Sequence, residues 1–302
     1  MNLEDEVLCG FLVTAQKKRV NAMYLTMIRE FAALCERNHL TWWLAYGSML
    51  GAVRHHGFIP WDDDVDIVMP RKDFDRLSRM SNEELGVEPP YFMQTPHTDS
   101  AFQQRILRFR RSDTSYITKY DLSMAEKMGK VYDMGLALAV LPLDNVPKSR
   151  LLFSLQKRIA RSGVAFRTEK PGKKSFSVKR LLFRMAESVM SEKLVVSLIH
   201  GMYRICPRNR SGYVQCFEGF YPGNNTNMWP TEVFAETVRL PFEDITVPVP
   251  AGYDVFLRTT YGDYMQFPPP ESRVERHSDF MSADIPWPEA LKMVESGEIT
   301  VR

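Results

Sequence analysis

Two carboxylates, Asp64 and Asp66, stand one residue apart with Val65, Ile67 and Val68 around them. In an extended strand the side chains alternate faces, so both acids point one way while the apolar neighbours pack the other way. Carboxylates held on one face repel unless a cation lies between them, and oxygen-only ligands suit a hard ion such as Mg²⁺. A solvated turn is the ordinary reading of an Asp run, and Pro60 to Asp63 fits it. A turn, though, requires neither the apolar run after the acids nor the Gly47-Ser48 step upstream. Gly47 lets the backbone approach a phosphate, while the Ser48 hydroxyl and the free amides of a helix start can hold its oxygens. A metal held by acids opposite a phosphate cradle is the equipment of phosphoryl-type transfer, which depends on charge neutralisation and alignment more than on covalent chemistry.

The positions of these residues depend on a small set of elements. Thr14 to Asn38 reads as a helix, with Val20, Met23, Tyr24, Met27, Ile28, Phe31 and Leu34 forming one apolar stripe. Thr41 to Tyr46 is the expected first core strand, Ser48 to His55 a short helix, and Asp64 to Met69 the second strand. Pro70 starts a helix over Arg71 to Met80, Phe102 to Tyr120 alternates as one or two strands, and Leu136 to Leu141 is the strand facing the first pair. Val238 to Val249 reads as a hairpin or an edge strand broken by prolines, and Tyr253 to Tyr261 as a last helix. The pattern is α+β: a mixed sheet flanked by helices. It divides into a core over 1–147, a basic insert over 148–210, and a part over 211–302 that completes the core and the acceptor site.

The chain has 302 residues, 44% hydrophobic and 25% charged, enough for a substantial core. It contains no apolar run of the ~18 residues that a membrane span needs. The first ten residues are acidic where a signal peptide would be basic, and Cys9, Cys35, Cys206 and Cys216 show no Cys-x-x-Cys spacing. Buried thiols in a cytoplasmic protein are expected. Charge is segregated: Lys148 to Arg210 holds 16 Lys or Arg against Glu169, Glu187 and Glu192, a net +13 in a chain whose total is +2, so the remainder carries about −11. Leu151 to Arg161 and Val178 to His200 read as two basic amphipathic helices joined at Pro171-Gly172-Lys173-Lys174. Such helices lie on anionic membrane surfaces or form a solvated face. Nucleic acid fits poorly, because the basic stretch lacks interleaved aromatics and matches no nucleic-acid module.

Strand, Gly-Ser, short helix, then Asp-x-Asp on a neighbouring strand is the pattern of the nucleotidyltransferase superfamily. The fuller string is more specific: Gly47, Ser48, Leu50-Gly51-Ala52-Val53-Arg54-His55, Gly57, Ile59-Pro60-Trp61-Asp62-Asp63-Asp64, Asp66 and Met69-Pro70-Arg71. Together with Leu141-Pro142-Leu143-Asp144-Asn145-Val146-Pro147, then Tyr261-Gly262-Asp263-Tyr264-Met265 with Pro268-Pro269, Arg273 and His277, it resembles the LicD family of phosphocholine transferases. Fukutin-type proteins share the Asp-rich core. The resemblance implies a nucleotidyltransferase-type sheet and Mg²⁺ held by Asp64 and Asp66. It also implies transfer of phosphocholine from CDP-choline to a sugar hydroxyl of a lipid-linked cell-surface glycan precursor, of teichoic acid or lipopolysaccharide type. The site would then be cytoplasmic, peripheral to the inner face of the membrane.

Within that reading Gly47 and Ser48 grip the diphosphate, Arg54, Arg108 and Arg110 are phosphate candidates, and His55 or His56 assists binding or proton transfer. Choline cannot donate hydrogen bonds, so its recognition falls to aromatic faces, Trp61 first, then Tyr46, Tyr91 and Tyr116. A donor carrying glycerol or ribitol instead of choline is the alternative within the fold. One departure matters. The family's later strand usually carries an acid before Pro-Leu-Asp, a third carboxylate for metal or nucleophile, and here Ala139 stands at that position. Either Asp133 or Asp144 compensates, or the chain is a substituted form that binds without turnover; the distance of Asp144 beyond a proline favours the second.

Overall fold

The computed structural model describes residues 2–102, 104–158, 192–208, 211–218, 228–275 and 279–301. The long helix α1 (Ala15–Arg37) is started by Thr14, whose hydroxyl accepts the Lys17 amide at 3.2 Å. Its stripe of Val20, Tyr24, Met27, Ile28, Phe31 and Leu34 is buried, as the periodicity requires. A small hairpin, β1 (Glu6–Leu8) with β2 (Phe11–Val13), precedes it and left no clear signal in the sequence.

The first core strand is shorter than expected. Only β3 (Trp43–Leu44) pairs with the sheet, because the chain turns at Tyr46, which has a left-handed φ of 46°, and enters α2 (Tyr46–Leu50) two residues before the expected helix start. Trp42 and Trp43 face opposite ways, Trp42 edge-on to Phe31 of α1 and Trp43 against Phe234. One turn of π-helix, Gly51–His55, extends α2. Next come β4 (Val65–Pro70), α3 (Arg71–Leu77), α4 (Asn82–Leu85), β5 (Tyr91–Gln94), β6 (Leu107–Arg111), β7 (Ser115–Ile117) and α5 (Lys119–Met128). The central strand β8 (Leu136–Asn145) is almost continuously apolar because it is buried on both faces.

β8 organises the seven-stranded mixed sheet. It runs parallel to β4, which pairs antiparallel with β3; its first half also pairs antiparallel with β6, and β6 with β5. Its last two residues pair with β9 (Tyr213–Gln215), itself paired with β10 (Met228–Pro230). The expected prolines sit in the hairpin of β11 (Thr237–Phe242) and β12 (Ile245–Pro250). The helix expected over Tyr253–Tyr261 is present, with Phe256 stacked on Trp229 at 4.3 Å and edge-on to Tyr46 at 5.6 Å. β13 (Phe280–Ser282) pairs with β7, and a helix over Trp287–Ser296 follows. The molecule is α+β, as the sequence pattern implies.

Of the basic stretch, residues 150–158 and Glu192–Tyr203 are helical, and 159–191 lie outside the described residues. No helix among the described residues is long and apolar enough to cross a membrane. All four cysteines are free, but Cys9 is exposed rather than buried, since it sits at the tip of the β1–β2 hairpin with a left-handed φ.

The acid after the proline of the middle motif has a structural role. Asp144 is 1% exposed and takes both Nε and Nη2 of Arg71, at 2.6 and 2.7 Å. Burial alone would lower the Arg71 pKa, yet the Asp144 carboxylate and its hydrogen bonds more than offset that and hold it above its ordinary value. Asp75 joins Arg71 to Arg204, and His200, driven to neutrality by burial and by Arg71, rests its Nδ1 3.2 Å from Arg71 Nη1. Asp144 therefore does not compensate for Ala139. Asp144→Ala leaves a buried guanidinium without its main partner and is expected to cost about 3–5 kcal/mol, read as a lowered urea midpoint.

Candidate active site

The acids do not all lie where strand alternation put them. The β4 ladder begins at Val65, opposite Leu138, so Asp64 precedes the strand instead of opening it. Outside the ladder, Asp64 groups with Asp62 and Asp63, and one carboxylate oxygen from each of the three lies within 4.8 Å of the others. Asp63, read from sequence as part of a solvated turn, is 3% exposed. Asp66 remains on β4, where its amide donates to Ser48 Oγ at 2.9 Å and its carbonyl accepts the Ala45 amide at 2.9 Å.

Register places a second feature beside these acids. Asp66 pairs with Ala139 of β8, and Ala139 pairs on its other side with Arg108 of β6. Directly paired residues share a sheet face. In β4, β8 and β6 nearly every interior position is buried, whereas Asp66, Ala139 and Arg108 are each partly exposed. The sheet opens to solvent along this one row, and the acidic loop stands at its end. Arg108 Nε is itself buried and has no hydrogen-bond partner, and Tyr24 beneath the acids has a buried, unpartnered hydroxyl.

Charge crowding is severe. Burial first, then Asp63, pushes the Asp64 carboxyl up to about 7, against the pull of Arg108 and Lys17. Burial, Asp64 and Asp62 raise Asp66 well above the carboxylate range. Burial, then Asp64 and Asp63, also raises the Tyr24 phenol. An all-oxygen set of crowded carboxylates fits a hard divalent cation, whose charge relieves the repulsion that raises these pKa values. The grouped set is Asp62, Asp63 and Asp64, with Asp66 next to it on the strand, rather than Asp64 and Asp66 alone.

Gly47 belongs to the same construction. A Cβ there would run into the Asp62 carboxylate, so only glycine lets that acid lie against the start of α2. Ser48 is 7% exposed and fixes the β4 backbone through its Oγ. Lys17, which helix periodicity gave no reason to single out, is buried at the start of α1. It donates to the Asp62 carbonyl at 2.6 Å and to Glu275 at 2.7 Å, holding the acidic loop from behind.

Four other sequence candidates, Arg54, His55, Trp61 and Arg110, are engaged elsewhere. Arg54 donates to the carbonyls of Tyr264 and Gln266 at 2.6 and 3.1 Å and to His55 Nε2 at 3.0 Å, tying the first motif to the C-terminal one. His55 stacks on Phe267 at 5.4 Å, and burial, then Arg54, lowers its pKa to about 4, so it is neutral at physiological pH. Trp61 is 9% exposed among Phe11, His55 and Phe267, with the Arg273 guanidinium 5.2 Å from its ring centre. A cation from the chain itself already sits where a choline head would stack. Of the reserve aromatics, Tyr46 and Tyr116 are buried, while Tyr91 is partly exposed at the far side of the sheet. Arg110 is fully buried, donating to Gln94 Oε1 and the Gly135 carbonyl.

Residues 39–135, which contain the glycine-serine step, the acids and Arg108, match the family described as LicD/FKTN/FKRP, nucleotidyltransferase domain. Over these residues the chain is similar to LicD-type nucleotidyltransferase domains. It is 26% identical over 266 residues to the lipopolysaccharide cholinephosphotransferase LicD of Haemophilus influenzae, covering 84% of this chain and 92% of that protein. It is also 32% identical over 93 residues to an uncharacterized protein of Rickettsia prowazekii, covering 30% of this chain and 34% of that one. Mannosyltransferase regulator 4 of Saccharomyces cerevisiae is 34% identical over 74 residues, 24% of this chain and 6% of that protein.

The three motifs hold one another in place. Arg71 after β4 grips Asp144 at the end of β8, and Arg54 after α2 grips the backbone of the Tyr264–Gln266 segment. His277 of the C-terminal motif lies outside the described residues.

Proposed function

We propose that the chain is a phosphotransferase that moves a phosphocholine group from CDP-choline to a sugar hydroxyl of a cell-surface glycan precursor. The observation that carries the proposal is the row Asp66, Ala139, Arg108, open to solvent and ending at the Asp62–Asp64 cluster. The similarity to a lipopolysaccharide cholinephosphotransferase over most of both chains supports the transferred group and points to a lipopolysaccharide-type acceptor. A teichoic acid acceptor remains within the same chemistry.

In this reading Asp62, Asp63, Asp64 and Asp66 hold Mg²⁺, which when bound neutralises diphosphate charge. Gly47 leaves room for the acids and the phosphate, Ser48 fixes the strand that carries Asp66, and Arg108, partly exposed in the open row, offers its guanidinium charge to a non-bridging oxygen. The sugar hydroxyl gives up its proton to solvent as its oxygen forms the new bond to the choline-side phosphorus, the bridging P–O bond breaks, and CMP departs with the bond's electron pair. Lys17 keeps the acidic loop in position. Association of residues 148–210 with an anionic membrane bearing the acceptor belongs to the same proposal.

Ala139 favours a second reading, a form that binds the donor without turnover. Calorimetric titration of CDP-choline and CDP-glycerol, with and without Mg²⁺, into the wild type and Asp64→Ala decides among these. The proposal expects Mg²⁺-dependent binding of CDP-choline that Asp64→Ala abolishes, with CMP release once acceptor is added. Binding without CMP release establishes the second reading, preference for CDP-glycerol moves the donor, and binding of neither overturns the proposal.

A further inference from the structure

The buried stripe of α1 is interrupted by polar groups on the side that meets the acidic loop. Lys17, Asn21 and Tyr24 recur at i, i+4 and i+7, and all three are buried. The loop leading into the acids runs along this face: Lys17 Nζ donates to the Asp62 carbonyl at 2.6 Å, and the Tyr24 ring lies 6.4 Å from that of Phe58. Tyr24 is 1% exposed, and its hydroxyl has no hydrogen-bond partner among the described residues. On the reading that these acids hold Mg²⁺, we infer that Tyr24 positions the ligands: its O–H donates to the outer oxygen of the Asp63 or Asp64 carboxylate when the cation is bound.

A buried hydroxyl without a partner carries the full cost of its lost hydration, so its place in the fold calls for an acceptor. The surrounding charges indicate which one. After burial, Asp64 and Asp63 are the groups that raise the Tyr24 phenol, and Arg108 and Arg110 oppose them. A phenol kept protonated in this way is a donor, and the carboxylates that act on it are acceptors. The two guanidiniums have no acceptor atom to offer it. Arg108 Nε is a second buried donor without a partner in the same surroundings, so the layer beside the acids holds two unmatched donors from different elements, α1 and β6.

The grouping of the acids leaves oxygens for such donors. One oxygen from each of Asp62, Asp63 and Asp64 lies within 4.8 Å of the others, and a carboxylate that gives one oxygen to a cation keeps lone pairs on its other oxygen. Donors that hold this outer oxygen fix the direction of the ligand, and their loss weakens metal binding. Lys17 holds the loop by its backbone; Tyr24, two turns along the same helix, would hold it by a side chain.

The test is Mn²⁺ binding to the intact protein without nucleotide or acceptor, read from the loss of the unbound ion's EPR signal, in the wild type and in Tyr24→Phe. Phenylalanine keeps the ring and removes only the hydroxyl. The expected Kd of the variant is about 10- to 100-fold weaker, the usual effect of losing a donor behind a metal ligand. In EDTA its melting temperature should equal or exceed that of the wild type, because the hydroxyl removed has no partner there. A tyrosine that only packs α1 gives the opposite pairing, a lower melting temperature in EDTA with Mn²⁺ affinity intact, and that result overturns the inference. In the wild type, Mg²⁺ should also produce a red-shifted tyrosine difference band as the phenol gains an acceptor. Binding of Mn²⁺ with no such band on adding Mg²⁺ overturns the role of Tyr24 however the variant folds. Equal Mn²⁺ affinity in the two proteins removes Tyr24 while leaving the acidic site standing, whereas no Mn²⁺ binding by the wild type overturns the metal reading and the role of Tyr24 together.

Discussion

Asp64→Asn is expected to lower transferase activity by about 10²–10⁴-fold, the usual effect of removing a metal ligand or a charge-bearing acid from a phosphoryl-transfer site. The substitution is nearly isosteric and removes one of the like charges that burial and Asp63 make unfavourable, so the metal-free fold should become more stable rather than less. The same residue makes a pH prediction. Its carboxyl is raised to about 7, so between the ordinary carboxylate range and pH 7 the folded protein retains a proton that the unfolded chain has released. Stability without metal should therefore fall as pH rises through that interval, with the full penalty present above about pH 7. Mg²⁺ favours the ionised form and should restore stability most at the higher pH. Melting temperatures at pH 6, 7 and 8, with EDTA or Mg²⁺, check this. A wild type whose melting temperature ignores both pH and metal, together with an active Asp64→Asn, would remove Asp64 from the site.

The legible parts of the chain were those with a strong local period or a motif. The stripe from Val20 to Leu34 gives α1, the apolar run of β8 gives a buried central strand, and the spacing of Gly47, Asp64 and Asp66 points to the segment where Asp62, Asp63 and Asp64 group together. What escaped depended on partners distant in sequence. Asp64 reads as a strand residue until the ladder is seen to begin at Val65, and Asp63 reads as a turn residue until tertiary packing buries it. Lys17 has no sequence signal, because its carbonyl partner is 45 residues away. Trp61 has the right type and neighbours for a choline cage, yet Arg273, 212 positions later, takes its face. Short edge strands such as β9 and β13 are defined by what they pair with, not by their own composition.

Ala139→Asp is expected to raise transferase activity, by about 10²–10⁴-fold if the missing acid is the main defect of the site. The register gives the substitution its rationale. Position 139 lies between Asp66 on β4 and Arg108 on β6, partly exposed in a strand whose interior neighbours are buried, so a carboxylate added there enters the open row rather than the core. Two opposing effects act on it. Asp66 and Asp64 repel a further negative charge, while Arg108, with an unpartnered buried Nε, attracts it. Without metal the variant should lose stability modestly, and with Mg²⁺ it should recover more than the wild type does, because the cation gains a ligand where the repulsion is greatest. Ala139→Asn is the control: it matches the size and polarity of Asp but adds neither charge nor a base. A gain in the Asp variant alone shows that this chain retains the rest of a competent site and that one missing carboxylate limits it. Equal rates in all three proteins would place the chemistry entirely on the acids of the Asp62–Asp66 segment, with Arg108 serving the phosphate unaided across the gap that Ala139 leaves.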